Sequence, residues 1–329
     1  MLSAIGKGLA ILVGLIICAG IYLYVLSPQT AVELAQALER GRAGLTEHQV
    51  QVGEFNIHYL SGGEGETLLL LHGFGADKDN WTRIAADLTP QYRVIAPDLP
   101  GFGVSDHPQG VDYRAATQAQ RVHDFVQKLD LGKVHIAGNS MGGAIAGAYA
   151  AAYPDETRSL WLLAPAAVVS APVSELRARI GAGKKNPLLP STHEEYYALL
   201  GFVFEEEPFI PAPLKFVLAE RAIERNPLLT DIFFQISSDD LALEQALASS
   251  PVPTLILWGK QDRLLHVGGA AILNNAIPSS KMVIMDETGH APMIERPHQS
   301  AEAFKAFQQN LPARVDKAPV AQEAEETQP

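Results

Sequence analysis

Short apolar runs recur along this chain at 67–71, 92–96, 133–137, 160–163, 254–258 and 281–285, and no other feature restricts the fold as strongly. Runs this short and this continuously apolar predict strands buried on both faces. Longer stretches of another type separate the first four. Residues 117–129 carry helical spacing at Val122, Phe125, Val126 and Leu129, and 144–152 are alanine-rich enough for a helix packed tightly on a sheet. The alternation predicts an α/β fold: a mostly parallel sheet with helices on both faces. In such sheets functional residues gather in the crevice beyond the carboxyl ends of the strands.

The rhythm stops between residues 170 and 250. That stretch is helical in pattern, broken by Pro172, Pro187, Pro190, Pro208, Pro211, Pro213 and Pro227, and strand signal resumes only near Thr254. It reads as a helical cap inserted into a core made of 50–169 and 251–311. The cap holds Phe202, Phe204, Phe209, Phe216, Phe233 and Phe234, half of the twelve phenylalanines in the chain, which predicts an apolar lining for a ligand pocket. Residues 312–329 are rich in Ala, Glu, Gln and Pro without apolar period and are expected to be disordered.

Residues 8–26 contain no charge. As a helix at ~1.5 Å per residue they would span about 28 Å, close to the ~30 Å hydrocarbon core of a bilayer. No A-x-A-like cleavage site precedes Leu26-Ser27-Pro28, and Ile17 before Cys18 does not suit a lipoprotein signal. Residues 1–30 are therefore expected to be an uncleaved, single-pass transmembrane anchor. The head before it is short and the domain behind it long, so the bulk is expected outside the cytoplasm, in the periplasm of a bacterial cell. Residues 31–49 read as a juxtamembrane helix and linker, with Ala31, Leu34, Ala35 and Leu38 on one helical face and Gly41 and Gly44 closing it.

A formal net charge of -12 offers no basic stripe for phosphate backbones, so nucleic acid is excluded as a partner. Neither metal nor cofactor is expected. His193-Glu194-Glu195-Tyr196-Tyr197 lacks the second histidine of a zinc helix, and "GGEGE" at 62–66 precedes a strand where a dinucleotide loop must follow one.

The segment "GNSMGG" at 138–143 follows one predicted strand and opens one predicted helix. That is the setting of a Gly-x-Ser-x-Gly elbow, where so sharp a turn strains the serine and demands small residues two before and two after it. Gly138 and Gly142 meet that demand around Ser140. A hydroxyl needs a base to become a nucleophile, and the base needs an orienting acid. His290, in "ETGHAPMIERP", lies on a loop after the last predicted strand, and Asp262, in "WGKQDRLL", lies just after the strand at 254–258. His266 is the closest rival base, and Asp286 and Glu287 are rival acids. For an oxyanion, the backbone N–H of Phe74 after the strand at 67–71 pairs with that of Met141. His72 reads as a structural residue beneath that loop.

The motifs "LHGFG", "PDLPGFGVS", "GNSMGGAIA", "LWGKQDRLL" and "GHAPMIERP" occur here in the order and spacing of the α/β-hydrolase superfamily, which the chain resembles over about residues 50–311. With its apolar N-terminus it looks like membrane-anchored bacterial lipases and esterases and the anchored monoacylglycerol lipases. The resemblance implies a serine hydrolase of carboxylic esters working on acylglycerols at a lipid bilayer. Ser140 would be nucleophile, His290 base, Asp262 its orienter, and Phe74 and Met141 the oxyanion donors. Two alternatives stand beside it: a carbon-carbon hydrolase of ring-fission products, and a catalytically silent receptor on the same fold.

Overall fold

In the computed structural model, which describes residues 27–311 together with Gly6, Gly8, Leu9, Val13, Gly14, Gly20 and Tyr22, eight strands form one sheet. They are β1 (Thr46–Val52), β2 (Phe55–Gly62), β3 (Glu66–Leu71), β4 (Tyr92–Pro97), β5 (Val134–Asn139), β6 (Thr157–Leu163), β7 (Thr254–Gly259) and β8 (Ser280–Met285). Their order is β1-β2-β4-β3-β5-β6-β7-β8, parallel from β4 to β8. The six strands expected from the apolar runs are β3 to β8. The chain passes from β3 to β4 on one side and then to β5 on the other, so the loops after β3 and β5 flank the point where winding reverses. A crevice opens at such a point.

The hairpin β1–β2 is not visible as a strand signal in the apolar pattern. Its partners run from Thr46↔Ser61 to Val52↔Phe55 around Gly53-Glu54, and β2 joins the sheet antiparallel to β4. β1 reads TEHQVQV and lies exposed along most of its length. The sheet therefore begins inside the stretch read as linker.

Helix α1 (Pro28–Arg42) has Pro at its start and Arg40 and Arg42 in its last turn, an arrangement that suits both ends of a helix. Leu34 and Leu38, the larger apolar residues of its expected face, are exposed, whereas Val32 is buried. Polar contacts turn the helix, as described below, so that Val32 rather than the leucines meets the protein. It packs on α2 (Thr82–Leu88) and on the cap. Residues 8–26, the expected anchor, lie mostly outside the described residues, as do 312–329; among the described residues no helix is long and apolar enough to cross a membrane.

Helix α3 (Ala115–Lys128) buries Ala119, Val122, Phe125 and Val126 on one face of the sheet. Helix α4 (Met141–Ala152) is buried on every side through its first ten residues, which its glycines and alanines permit. The cap contains α5 (Glu175–Gly181), α6 (His193–Val203), α7 (Ala212–Glu224), α8 (Asn226–Ser237) and α9 (Leu243–Ala246). Thr192 and Ser174 cap two of them by accepting hydrogen bonds from Glu195 N and Arg177 N. After β7 come α10 (Gly268–Ala276), α11 (Pro292–Glu295) and α12 (Pro297–Gln309). On the second face of the sheet α12 lays Phe304 flat on Trp161, with ring centroids 4.7 Å apart. Burying one such side chain contributes about 1.5–3 kcal/mol.

The cap phenylalanines divide. Phe202 is buried beneath the guanidinium groups of Arg179 and Arg263, and Phe233 meets Phe74 edge-on at 5.6 Å. Phe209 and Phe234 are 86% and 73% exposed. Helical geometry sends adjacent residues such as Phe233 and Phe234 to different faces.

Candidate active site

Between β5 and α4 the backbone turns at Ser140, which holds φ 56° and ψ −118°. A non-glycine residue in this region costs on the order of 1–3 kcal/mol and persists only where its surroundings fix it. Here Ser140 N donates to Leu163 O at 3.1 Å, and Ser140 O accepts from Ala144 N at 3.1 Å and Ala166 N at 2.8 Å. The flanking glycines are required by contact. A Cβ on Gly138 would stand 2.1 Å from Gly142 O, and one on Gly142 would stand 2.3 Å from Leu71 O.

Asp262 follows β7 and His290 follows β8, and the two meet. His290 Nδ1 donates to Asp262 Oδ2 at 2.8 Å, since a carboxylate can only accept. Trp258 Nε1 donates to the same oxygen at 2.9 Å, and Leu264 N and Leu265 N donate to Oδ1 at 2.8 and 3.0 Å. These bonds saturate a carboxylate whose side chain is 0% exposed and fix its rotamer. In the neutral imidazole Nε2 then carries the free lone pair. It is buried and has no hydrogen-bond partner among the described residues.

The loop bearing His290 is pinned on three sides. His290 N donates to Val203 O at 2.8 Å, and Asn139 Nδ2 donates to His290 O at 3.1 Å, tying His290 to the residue before Ser140. The Glu295 carboxylate accepts from Gly289 N, Glu205 N and Glu206 N, so one side chain joins the His290 loop to the end of α6. Burial pushes its pKa above the ordinary carboxylate range.

On the other side of the elbow runs the loop after β3. A Cβ on Gly73 would come within 3.3 Å of Ser140 Cβ, which measures how closely this loop approaches the serine. His72 beneath it is fully buried, donates from Nδ1 to Gly73 O at 2.8 Å and accepts Leu99 N at 3.1 Å. Burial lowers its pKa and keeps it neutral. Phe74 N–H has no partner among the described residues, and Met141, as the first residue of α4, has no intrahelical acceptor for its own. The Phe74 ring packs between Phe102 and Phe233.

The sequence matches the α/β-hydrolase fold family over residues 66–297. The chain belongs to the α/β-hydrolase family. Among its relatives, lipase 3 of Moraxella sp. (strain TA144) is 42% identical over 251 residues, covering 75% of this chain and 78% of that protein. A human monoacylglycerol lipase is 32% identical over 255 residues, covering 74% and 76%. The crystal structure of a membrane phospholipase A superposes with a TM-score of 0.84 at 44% identity, covering 92% of this chain and 97% of that one.

The rival residues of this α/β hydrolase fall elsewhere. His266 is exposed and accepts Gly268 N, and Asp286 is exposed and paired with Lys260 at 2.6 Å. Glu287 is also exposed. Among the described residues no group of three or more His, Cys, Asp or Glu side chains is placed to hold a metal ion. Sequence reasoning missed Asn139, Trp258 and Glu295. Asn139 and Glu295 act through contacts between segments far apart in the chain, which spacing does not encode, and Trp258, a local partner four residues before Asp262, reads in the sequence only as part of the apolar run of β7.

Proposed function

We propose that this hydrolase cleaves carboxylic esters, with Ser140 as nucleophile, His290 as base then acid, and Asp262 orienting the imidazole. The observation that carries the reading is the buried, unpartnered Nε2 of His290, whose Nδ1 is held by a saturated Asp262. Ser140 Oγ attacks the ester carbonyl as its proton passes to Nε2. The tetrahedral oxyanion takes hydrogen bonds from Phe74 N–H and Met141 N–H at the head of α4, where the helix dipole also favours negative charge. His290 returns the proton to the leaving alcohol, and water then releases the acyl group by the same steps.

The substrate class we propose is the acylglycerols, monoacylglycerols foremost. The family relatives include proteins named lipase and monoacylglycerol lipase, and the Phe74–Phe233 contact puts apolar cap surface beside the oxyanion loop. We further propose that residues 8–26 anchor the enzyme in the bilayer that supplies the substrate, with the catalytic domain outside the cytoplasm. A neighbour described as a membrane phospholipase A supports this.

The test is a panel of monoacylglycerols, triacylglycerols, short p-nitrophenyl esters and a ring-fission product. Ester turnover with none on the ring-fission product is the expected result. Turnover of the ring-fission product alone would transfer the chain to carbon-carbon hydrolysis, and no turnover of any compound would favour a silent receptor.

A further inference from the structure

A chain of ion pairs joins α1 to the loop that carries Phe74. Arg40 grips Asp79 with two parallel hydrogen bonds, Nε to Oδ1 and Nη2 to Oδ2, both 2.6 Å, and Gln36 Nε2 adds a third to Oδ2 at 3.1 Å. The remaining Nη1 of Arg40 reaches Glu47 on β1 at 2.6 Å, and Glu47 lies 3.3 Å from Lys78 Nζ. Lys78 in turn is held by Asp98 at the end of β4, which accepts from Lys78 Nζ at 2.8 Å and from Lys78 N at 2.7 Å. Lys78 and Asp98 are buried, and the Arg40 and Asp79 side chains are 18% and 13% exposed.

The grip falls on consecutive residues, Lys78 and Asp79, at the start of a short 3-10 helix (Lys78–Trp81) that ends the loop after β3. Asp98 holds Lys78 from the sheet side, and Arg40 holds Asp79 from the helix side. From there back to Phe74 the backbone is tied locally: Asp77 Oδ1 accepts Asp79 N at 2.9 Å, and Ala76 N donates to Gly73 O at 3.3 Å. Gly75, at φ +70°, sits between as the freest residue of the loop. Without the far clamp, that glycine is where the peptide bearing Phe74 N–H would swing. Helix α1 buries only Val32 fully, so apolar packing alone does not set its rotation; the fork on Asp79 does.

We propose that Arg40, from α1, is a positioning residue for the oxyanion donor Phe74. The inference rests on the ester-hydrolase reading of the site. A planar guanidinium on a planar carboxylate fixes orientation as well as distance, which an ammonium does not. Donor geometry at a developing oxyanion acts on the transition state and not on the bound ester.

The experiment uses the full chain in detergent micelles with p-nitrophenyl butyrate, comparing wild type with Arg40→Ala, Arg40→Lys, Asp79→Asn and the charge swap Arg40→Asp with Asp79→Arg. Active sites are counted by fluorophosphonate labelling, so that kcat refers only to competent molecules. A roughly tenfold fall in kcat per site with KM within about twofold is expected for Arg40→Ala and Asp79→Asn, which is a transition-state effect. Arg40→Lys and the charge swap should each recover part of it. A kcat per site unchanged in both Arg40→Ala and Asp79→Asn, with only the melting temperature lowered, would overturn the proposal and leave the pair a structural fastener. If Arg40→Ala does not fold, the milder Asp79→Asn decides by the same criterion. A wild type that fails to label would instead remove the ester-hydrolase reading, and with it this one.

Discussion

Ser140, Asp262 and His290 come from three loops at one end of the sheet, and each was legible because a strand ends just before it. What surrounds them was not. The Asn139 amide reaches His290 O only after the strands are side by side, whereas the Trp258 indole and the N–H groups of Leu264 and Leu265 reach Asp262 within the turn after β7, through orientations that residue spacing does not encode. On the proposed mechanism Asp262→Asn presents an amide to His290 Nδ1 and stabilises the wrong tautomer. Steady-state kinetics should then show kcat lower by about 10⁴ in a protein that still folds; near-normal turnover would give the role to another carboxylate. His72 yields a prediction about stability. Its folded pKa lies below the ordinary 6.5 because burial disfavours the imidazolium, so the unfolded chain binds a proton that the folded chain refuses. That contribution is present in full above 6.5 and is lost as pH falls through the folded value, at up to about 1.4 kcal/mol per pH unit. Urea midpoints at pH 7 and pH 5 should therefore differ less in His72→Gln than in wild type. An equal difference in both proteins would contradict the assignment.

Among elements, the β5–Ser140–α4 turn is the most tightly determined. A methyl group on Gly142 would meet Leu71 O at 2.3 Å and His72 O at 2.4 Å, backbone atoms that cannot move aside without displacing β3 and the loop after it. Gly142→Ala should lower stability by about 1–3 kcal/mol or more and reduce labelling of the molecules that remain folded. Thermal melting and probe labelling together check this, and a variant with wild-type melting and labelling would show that the elbow is looser than its contacts imply. The parallel strands were legible because both faces of each are buried, which leaves a continuous apolar run. β1 was not, because an exposed edge strand reading TEHQVQV carries polar residues on both sides. The rotation of α1 was also beyond the sequence: its apolar period points to Leu34 and Leu38, but Arg40 and Gln36 find Asp79 and turn those leucines outward. The proline spacing of the cap announced helices without saying which aromatics they would turn inward.

For the whole molecule, the division between an apolar N-terminal run and a core that folds around its own sheet has a direct consequence. Removing residues 1–26 leaves α1, which starts at Pro28, and its contact with Asp79 in place. Turnover of soluble short esters should stay within about twofold of the full chain, while partition into membrane fractions is lost; a truncated protein still bound to membranes would locate the attachment elsewhere. On the proposed function the cap contributes an apolar acyl site. Each buried CH₂ contributes ~0.8 kcal/mol, so every added pair of methylenes should raise kcat/KM by up to about tenfold until the pocket is full. A flat or falling profile from two to eight carbons, measured below the aggregation limit, would argue against an apolar acyl site. All of this depends on Ser140 being the nucleophile, and one measurement addresses it with the fewest intermediaries. A fluorophosphonate probe, which reacts with an activated serine, is incubated with wild type and with Ser140→Ala, and the modified residue is mapped by mass spectrometry. Stoichiometric labelling of wild type at Ser140 and none in the variant is expected; labelling that persists in Ser140→Ala, or a wild type that remains unlabelled, would contradict Ser140 as the nucleophile.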